Sequence, residues 1–239
     1  MSDHAQSPAP YLLNDDGSAS VATVVMTSHH GFRRDLARFA TALRRRGDAG
    51  ASRAEALQQE WQHFRGALHA HHNAEDQRLF QALKGQHSDL APVIDQLTVE
   101  HRHIDPLLEG GDVAFAALSH PNEASLDAAA RVVDELASLL GPHLALEEAR
   151  LTPILRVWKE LPLPPPAEIP HLIDGLAWGC HGVAPDVLES VLLMLPRSVA
   201  DQLPAARTAF AQRCLHVWGS DEAGATHTPI PDPKSVTVG

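Results

Sequence analysis

Six residues of metal-binding type recur as two sets, 72 residues apart, along the 239-residue chain. Each set holds one isolated histidine and one His-x-x-x-Glu motif, and the two sets align without a gap. The matching pairs are His29 with His101, His71 with His143, and Glu75 with Glu147. Imidazole and carboxylate groups suit iron, and also manganese or zinc. The spacing therefore predicts a pseudo-symmetric site for two metal ions.

Apolar residues around these positions predict the helices that must present them. They recur at the same offset, as in Val25 with Leu97 and Phe64 with Leu136. They form stripes at the spacing of amphipathic helices, and each stripe contains one of the histidines. Since residues four apart on a helix point the same way, both side chains of a His-x-x-x-Glu motif can bind one ion.

The two glutamates decide between a metal site and a structural polar core. A lone histidine on an apolar face is more often a satisfied core residue, but a buried carboxylate must be neutralised, paired or coordinated. No lysine or arginine lies on the predicted inner faces beside Glu75 or Glu147. The nearest cations, Arg78 and Arg150, lie one position off those faces. We therefore interpret the four histidines and two glutamates as metal ligands.

The helical patterns predict an all-α protein built on an up-down-up-down four-helix bundle. The bundle covers residues 21–160, where four long helical segments are joined by short loops. Glycines and a following proline block indicate where the segments end. The predicted ends lie near Gly47, Gly85, Gly111 and Glu160.

Residues outside the bundle fall into three parts. Residues 161–220 begin with a proline block and predict additional helices, too short in total to fold alone, that pack on the bundle. Residues 1–20 and 221–239 are rich in Ser, Pro, Asp and Gly and predict mobile tails.

One irregularity lies next to a predicted ligand. Gly141 and Pro142 directly precede His143 in the fourth helix. A proline inside a helix removes a hydrogen bond and kinks the helix. We expect the fourth helix to bend or restart at this point.

Composition excludes several classes of partner. The net charge of −11 argues against nucleic-acid binding, which requires a basic face. No apolar run is long enough for a membrane span, and the first ten residues lack the features of a signal peptide. Two cysteines, Cys180 and Cys214, are too few for a disulfide framework and predict buried thiols, so we expect a cytoplasmic protein.

These motifs resemble the haemerythrin-like (HHE) cation-binding domains. The resemblance covers residues 21–160 and rests on residues 29–36, 71–76, 100–101 and 143–148. It implies a four-helix bundle around a non-haem di-iron centre, Fe–O–Fe or Fe–OH–Fe, in which Glu75 and Glu147 bridge the ions. The implied ligands are His29, His71, Glu75, His101, His143 and Glu147.

The third helix departs from the oxygen-carrying members of that family, which have His-x-x-x-His there. The fourth residue after His101 is Asp105, and His103 faces the opposite side of the helix. We therefore predict Asp105 as a further candidate ligand. Additional anionic ligands stabilise the higher oxidation state of iron, which favours activation of dioxygen or peroxide over reversible carriage.

Other polar residues are predicted to support the site. His72 lies four residues before Asp76, and the two could pair beside the ligands. His171, His181 and His216 lie in the C-terminal helices, where they could line access to the site, although a structural role is the simpler interpretation.

Three functions agree with these observations. The first is a di-iron oxidoreductase, either an oxidase or oxygenase or a catalase-like enzyme, acting on dioxygen, peroxide or a small organic substrate. We favour it because the C-terminal helices could wall a substrate pocket. The second is a carrier or sensor of dioxygen or nitric oxide. The third is an iron-binding protein without catalysis, or a closed structural zinc site. The sequence does not determine the oligomeric state.

Overall fold

A computed structural model describes residues 12–44, 51–161 and 163–219, without the side chains of residues 51 and 52. The described residues form a helical bundle followed by shorter helices. The bundle elements are α1 (Val21–Arg44), α2 (Ala51–Ala74), a π-helical turn (Glu75–Leu79), α3 (Phe80–Gln86), α4 (Ala91–Ala116) and α5 (Glu123–Leu155). The shorter helices are α6 (Ile169–Gly179), α7 (Pro185–Leu193), α8 (Arg197–Ala200) and α9 (Leu203–Trp218). Short 3-10 turns lie at Ser88–Leu90, Ala117–Ser119 and Pro166–Glu168.

Contacts between the bundle helices give their directions. The Val21 N–H donates to the Trp158 carbonyl at 2.9 Å, and the other end of α1 binds α5 through Arg44 and Asp134 at 2.7 Å. These pairings make α1 and α5 antiparallel. Similar pairings show that the second bundle helix (α2, the π turn and α3) runs antiparallel to both α1 and α4. They are Phe32 with His71, Phe39 with Trp61, Trp61 with Asp112, and Thr98 with Asp76. The predicted up-down-up-down bundle is confirmed.

Helix α4 continues beyond the predicted stop at Gly111 and ends at Ala116. A Cβ atom on Gly111 would overlap the Trp61 indole, which stacks on Phe115 with ring centroids 4.5 Å apart. The indole N–H also donates to Asp112 at 2.9 Å. Gly111 therefore permits close packing against Trp61 and does not end the helix.

Helix α5 runs without interruption from Glu123 to Leu155 and contains Pro142 and Pro153. Of the two expected alternatives, a bend or a restart at Gly141, the restart does not occur. The N-terminus of α5 has a reciprocal capping box between Asn122 and Ser125. Because Pro142 has no N–H, it deprives the carbonyl four residues earlier of its helical donor, yet the packed helix tolerates this loss.

The second bundle helix widens at one point. At the π turn Glu75–Leu79, the Phe80 N–H reaches back to the Glu75 carbonyl, five residues earlier. Such turns are rare and often lie at functional sites. This one begins at Glu75, a predicted bridging ligand.

The C-terminal helices pack on the bundle: α6 lies on α1, and α9 lies on α6 and α2. The Trp178 ring lies so close to α1 that a Cβ atom on Gly31 would be 2.6 Å from it. The Trp178 N–H donates to buried Asp35 at 2.6 Å, and Asp35 also accepts from Arg34 and Arg38. This hydrogen-bonded network anchors the added helices to the bundle.

The segment before α1 is also folded. Leu12 and Leu13 are buried. Their carbonyls accept hydrogen bonds from Thr23 at 2.6 Å and from Arg156 at 2.7 Å. Residues 12–20 therefore pack against the bundle, contrary to the predicted tail, while the rest of that tail and the predicted tail at 221–239 lie outside the described residues.

Two expectations about cysteines and membranes can be compared with the structure. Cys180 and Cys214 are free and buried. Burial raises the pKa of each thiol to about 11. Among the described residues, no helix has both the length and the apolar character that crossing a membrane requires.

Candidate metal centre

Seven histidine and glutamate side chains from all four bundle helices meet inside the bundle. Six of them are at most 4% exposed, and the seventh, His71, is partly buried. They are His29 from α1, His71, His72 and Glu75 from the second bundle helix, His101 from α4, and His143 and Glu147 from α5.

Each repeat supplies one pair of histidines in edge-to-face contact. The ring centroids of His29 and His71 lie 5.2 Å apart, and those of His101 and His143 lie 4.9 Å apart. We call the first pair the first-repeat end of the centre and the second pair the second-repeat end. The duplication in the sequence thus becomes two similar histidine pairs in space.

Two carboxylates lie between these ends. Glu75 Oε1 is 3.0 Å from His71 Nε2, and its Oε2 is 3.7 Å from His101 Nε2. Glu147 Oε2 lies 3.3 Å and 3.9 Å from the Nε2 atoms of His29 and His143. Each carboxylate therefore contacts one histidine at each end, which is the placement required of a bridging ligand.

The candidate ligand atoms form two groups, each with all its atoms within 4.8 Å of one another. One group has two imidazoles and two carboxylates, and the other has three imidazoles. The members are His29, His71, Glu75 and Glu147 in the first group, and His72, His101 and His143 in the second.

The inward-facing atoms have no hydrogen-bond partner among the described residues. They are Nε2 of His29, His71, His101 and His143, both nitrogens of His72, and both oxygens of Glu75 and Glu147. Leaving a buried polar atom without a partner costs ~1–3 kcal/mol. So many such atoms converging on one point would be unfavourable unless cations bind there, so the residues fit a pair of metal ions.

The outward-facing nitrogens of three histidines are held by carboxylates. His29 Nδ1 is 2.9 Å from Glu148, His101 Nδ1 is 3.1 Å from Asp76, and His143 Nδ1 is 2.9 Å from Glu100. Such a carboxylate fixes the orientation of the ring and makes its other nitrogen a better ligand. All three rings thus present Nε2 to the centre.

These outer carboxylates follow the sequence repeat only in part. Asp76 and Glu148 occupy equivalent positions, one residue after each bridging glutamate. Glu100 on His143 has Ser28 as its counterpart, and the Ser28 hydroxyl donates to the Val24 carbonyl at 3.3 Å. The first-repeat end therefore lacks an equivalent of Glu100.

Burial and neighbouring charges shift the pKa values of several groups in the site. Burial, and then the neighbouring His29, lower the pKa of His71 to about 3, and burial also lowers the pKa of His72. Burial and the charge of Glu147 raise the pKa of Glu75 well above its usual value. Burial also opposes the charge on Glu147, but the charge of the nearby His29 ring holds the pKa of Glu147 low. His71 and His72 therefore stay neutral, whereas the adjacent carboxylates of Glu147 and Glu148 outweigh burial and raise the pKa of His29.

All six ligands predicted from the repeat come together, but Asp105 does not join them. Asp105 is exposed on α4, whereas Ile104 is buried. The buried face of α4 passes through His101, Ile104 and Leu108, and this places Asp105 beyond its edge. The structure thus does not support Asp105 as a candidate ligand.

The predicted pairing of His72 with Asp76 is replaced by another arrangement. Asp76 contacts His101 and accepts a hydrogen bond from Thr98 at 3.1 Å, while His72 lies inside the second group. The sequence contained a signal for this, because His72 and Glu75 are three residues apart and share a helix face.

A cavity of about 390 Å³ lies between α4 and α5 beside the second-repeat end. Its polar residues include Glu100 and His103, and no residue of the C-terminal helices lines it. His171, His181 and His216 thus do not line this cavity, which agrees with the simpler interpretation of a structural role. The lining residues are Gln96, Glu100, His103, Ile104, Ser138, Leu139, Pro142, His143, Ala145 and Leu146.

Comparison with known families agrees with this geometry. Residues 20–160 match the hemerythrin HHE cation-binding domain. The chain belongs to this family. No curated protein and no solved structure matches it. The HHE match spans the bundle and includes every residue of the two ligand groups, which could hold the cation that the family description names.

Proposed function

We propose that this HHE protein binds two iron ions between its bundle helices and activates dioxygen or peroxide as an oxidoreductase. One observation carries the proposal: two buried carboxylates each lie between two histidine pairs, and their oxygens have no hydrogen-bond partner among the described residues. This donor set of imidazoles and carboxylates suits iron, with manganese and zinc as alternatives. A bound iron pair would supply the electrons for reducing dioxygen or peroxide.

The protein's own residues would prepare the site for oxidation chemistry. Glu148, Asp76 and Glu100 hold three imidazoles by Nδ1 and give them anionic character. Glu75 and Glu147 add negative charge directly at the centre. Five carboxylates around the site would favour the higher oxidation state of iron, which supports activation over reversible binding.

The cavity beside His143 is where we propose that a small substrate approaches the centre. It lies at the second-repeat end, where Glu100 and His143 form part of its wall. Its volume, about 390 Å³, exceeds what dioxygen or peroxide needs and leaves space for a small organic molecule. Leu139 and Leu146 make part of the lining apolar, which suits an uncharged substrate.

Reversible dioxygen carriage is the second candidate. The placement of Asp105 outside both groups removes the extra anionic ligand that favoured activation. The three imidazoles of the second group raise the share of neutral donors instead. The two functions differ in whether the adduct reacts further.

The test combines metal analysis with oxygen measurements. Purified protein should contain two irons per chain and show the absorption of an oxo- or hydroxo-bridged pair. Adding peroxide to the oxidised protein, or dioxygen to the reduced protein, should give turnover at an oxygen electrode. A stable, reversible adduct without turnover would favour the carrier, and stoichiometric zinc would contradict both functions.

Two variants check the ligand assignment. His71→Ala should reduce the iron content, because it removes an imidazole at the first-repeat end. His69→Ala changes an exposed histidine on the same helix and should leave iron content unchanged. Equal iron content in the two variants would contradict the assignment of His71.

A further inference from the structure

His72 is the member of the two ligand groups that the sequence repeat does not explain. The equivalent position in the second repeat, 72 residues later, is Leu144, which is fully buried. The second repeat thus places an apolar side chain next to its His-x-x-x-Glu motif, and the first repeat places an imidazole. The extra imidazole needs a reason of its own.

Helix geometry explains how His72 reaches the centre. Successive residues turn by about 100° on an α-helix, so Glu75 lies about 40° from His71 and about 60° from His72. Glu75 therefore lies between the two histidines on one face. The helix can present His71 to one side of the bridging carboxylate and His72 to the other.

The surroundings of His72 are those of a ligand. Its ring stacks on His101 with centroids 4.0 Å apart and meets the edge of His143 at 5.6 Å. It is 4% exposed, and neither ring nitrogen has a hydrogen-bond partner among the described residues. A structural core histidine normally bonds to a carbonyl or a carboxylate.

We propose that His72 is a seventh metal ligand, supplied by the first repeat to the second-repeat end. There it completes a three-imidazole position with His101 and His143. This inference rests on the proposed metal pair. It makes the two positions chemically different, since the first-repeat end has two imidazoles and the second has three, with the carboxylates between them.

The test is a Co²⁺ titration of metal-free protein, followed by visible absorption and calorimetry. His72→Leu gives the first repeat the residue that the second repeat already has at Leu144. We expect the variant to bind one Co²⁺ as tightly as the unmodified protein, and the other more than about tenfold more weakly, with a changed spectrum. His69→Leu, an exposed position on the same helix, should bind both ions normally.

Thermal unfolding provides a second readout. Replacing a buried imidazole that has no partner should leave the metal-free Tm of His72→Leu unchanged or raise it. The rise in Tm on adding Co²⁺ should become smaller, because weaker binding stabilises the folded state less. His72→Gln, which keeps a polar side chain, is measured in the same way if His72→Leu does not fold.

The outcomes separate this inference from the function on which it rests. If His72→Leu binds two Co²⁺ ions with the affinity and spectrum of the unmodified protein, His72 is not a ligand, and the metal pair stands. If the unmodified protein binds fewer than two ions, the metal pair itself is wrong.

Discussion

The two ends of the centre have similar histidine pairs but different surroundings. At the first-repeat end, the Phe32 ring lies 5.2 Å from the His71 ring, and Trp178 lies 4.9 Å beyond Phe32. At the second-repeat end, His143 contacts half-buried Glu100 and lines a cavity. The duplication thus reproduces the ligands, but a cavity borders the second-repeat end and aromatic side chains pack on the first, where His71 is the most exposed of the seven side chains.

Three substitutions between the repeats produce this difference. Glu100 has Ser28 as its equivalent in the first repeat, and His72 has Leu144 in the second. The third is Arg33, which binds Glu148 at 2.6 Å beside His29. Its equivalent in the second repeat is Asp105, which is exposed. We infer that the second-repeat end receives the substrate, and that the first-repeat end mainly holds its ion.

The largest effect should come from the residues that the two ends share. Glu75→Gln or Glu147→Gln removes a carboxylate that contacts a histidine at each end, so both positions lose a ligand. We expect the apparent affinity for both ions to fall by more than about 100-fold, beyond the loss typical of an outer residue. Metal content after dialysis, with calorimetric titration, measures this.

A matched control is Glu135→Gln, which changes an exposed glutamate on α5 and should keep both ions. The metal-free Glu75→Gln protein should be at least as stable as the unmodified one, because a buried carboxylate with a raised pKa is removed. If either bridging variant lost only one ion, that carboxylate would belong to a single end.

A smaller effect, confined to one end, is expected for Glu100→Gln. The change weakens the hydrogen bond that orients His143, and outer partners of this kind contribute about 10–100-fold to metal affinity or activity. One ion should bind more weakly while the other binds as before. Glu109→Gln, an exposed change on the same helix, is the control. Equal weakening of both ions would show that the ends are not independent.

Sequence periodicity predicted the bundle and the convergence of the six candidate ligands because both depend on which helix face is buried. The repeat of His29, His71 and Glu75 was visible without a structure. Residues at the edge of a face were harder to assign, because a small angular difference decides their contacts. Asp105 lies just outside the buried face of α4, and His72 just inside that of the second bundle helix.

The predicted helix end at Gly111 was wrong for a different reason. A glycine next to a helical pattern predicts the end of a helix, but Gly111 instead allows Trp61 to pack closely against the helix. That contact joins residues 50 positions apart in the sequence. Local patterns contain no information about such a partner. The same holds for Pro142, which tertiary packing keeps within a continuous helix.

His71 and His143 should also differ in how they make stability respond to acid when metal is absent. The pKa of His71 is lowered from 6.5 to about 3, so between these values the unfolded chain binds a proton that the folded protein excludes. The free energy of unfolding should therefore fall as the pH drops below 6.5. One such group contributes up to about 1.4 kcal/mol per pH unit.

His71→Asn should remove this contribution. His143→Asn should reduce the acid sensitivity of stability by a smaller amount, since burial lowers the pKa of His143 but Glu147 and Glu100 oppose that shift. Urea unfolding of the metal-free proteins at pH 7, 6 and 5 measures both. An equal loss of acid sensitivity in the two variants would argue against the electrostatic difference between His71 and His143.

The smallest effect should come from closing the cavity without touching a ligand. Ser138 lies on the exposed side of α5 and lines the cavity, so Ser138→Trp should fill much of the opening beside His143. Metal content should stay the same, while kcat/KM for peroxide should fall about fivefold, or about 1 kcal/mol of activation free energy. Ala137→Trp places the same bulk on the neighbouring exposed residue outside the cavity lining and should leave kcat/KM unchanged. If both variants keep the unmodified rate, peroxide reaches the centre by another route, and the assignment of the second-repeat end as the open one fails.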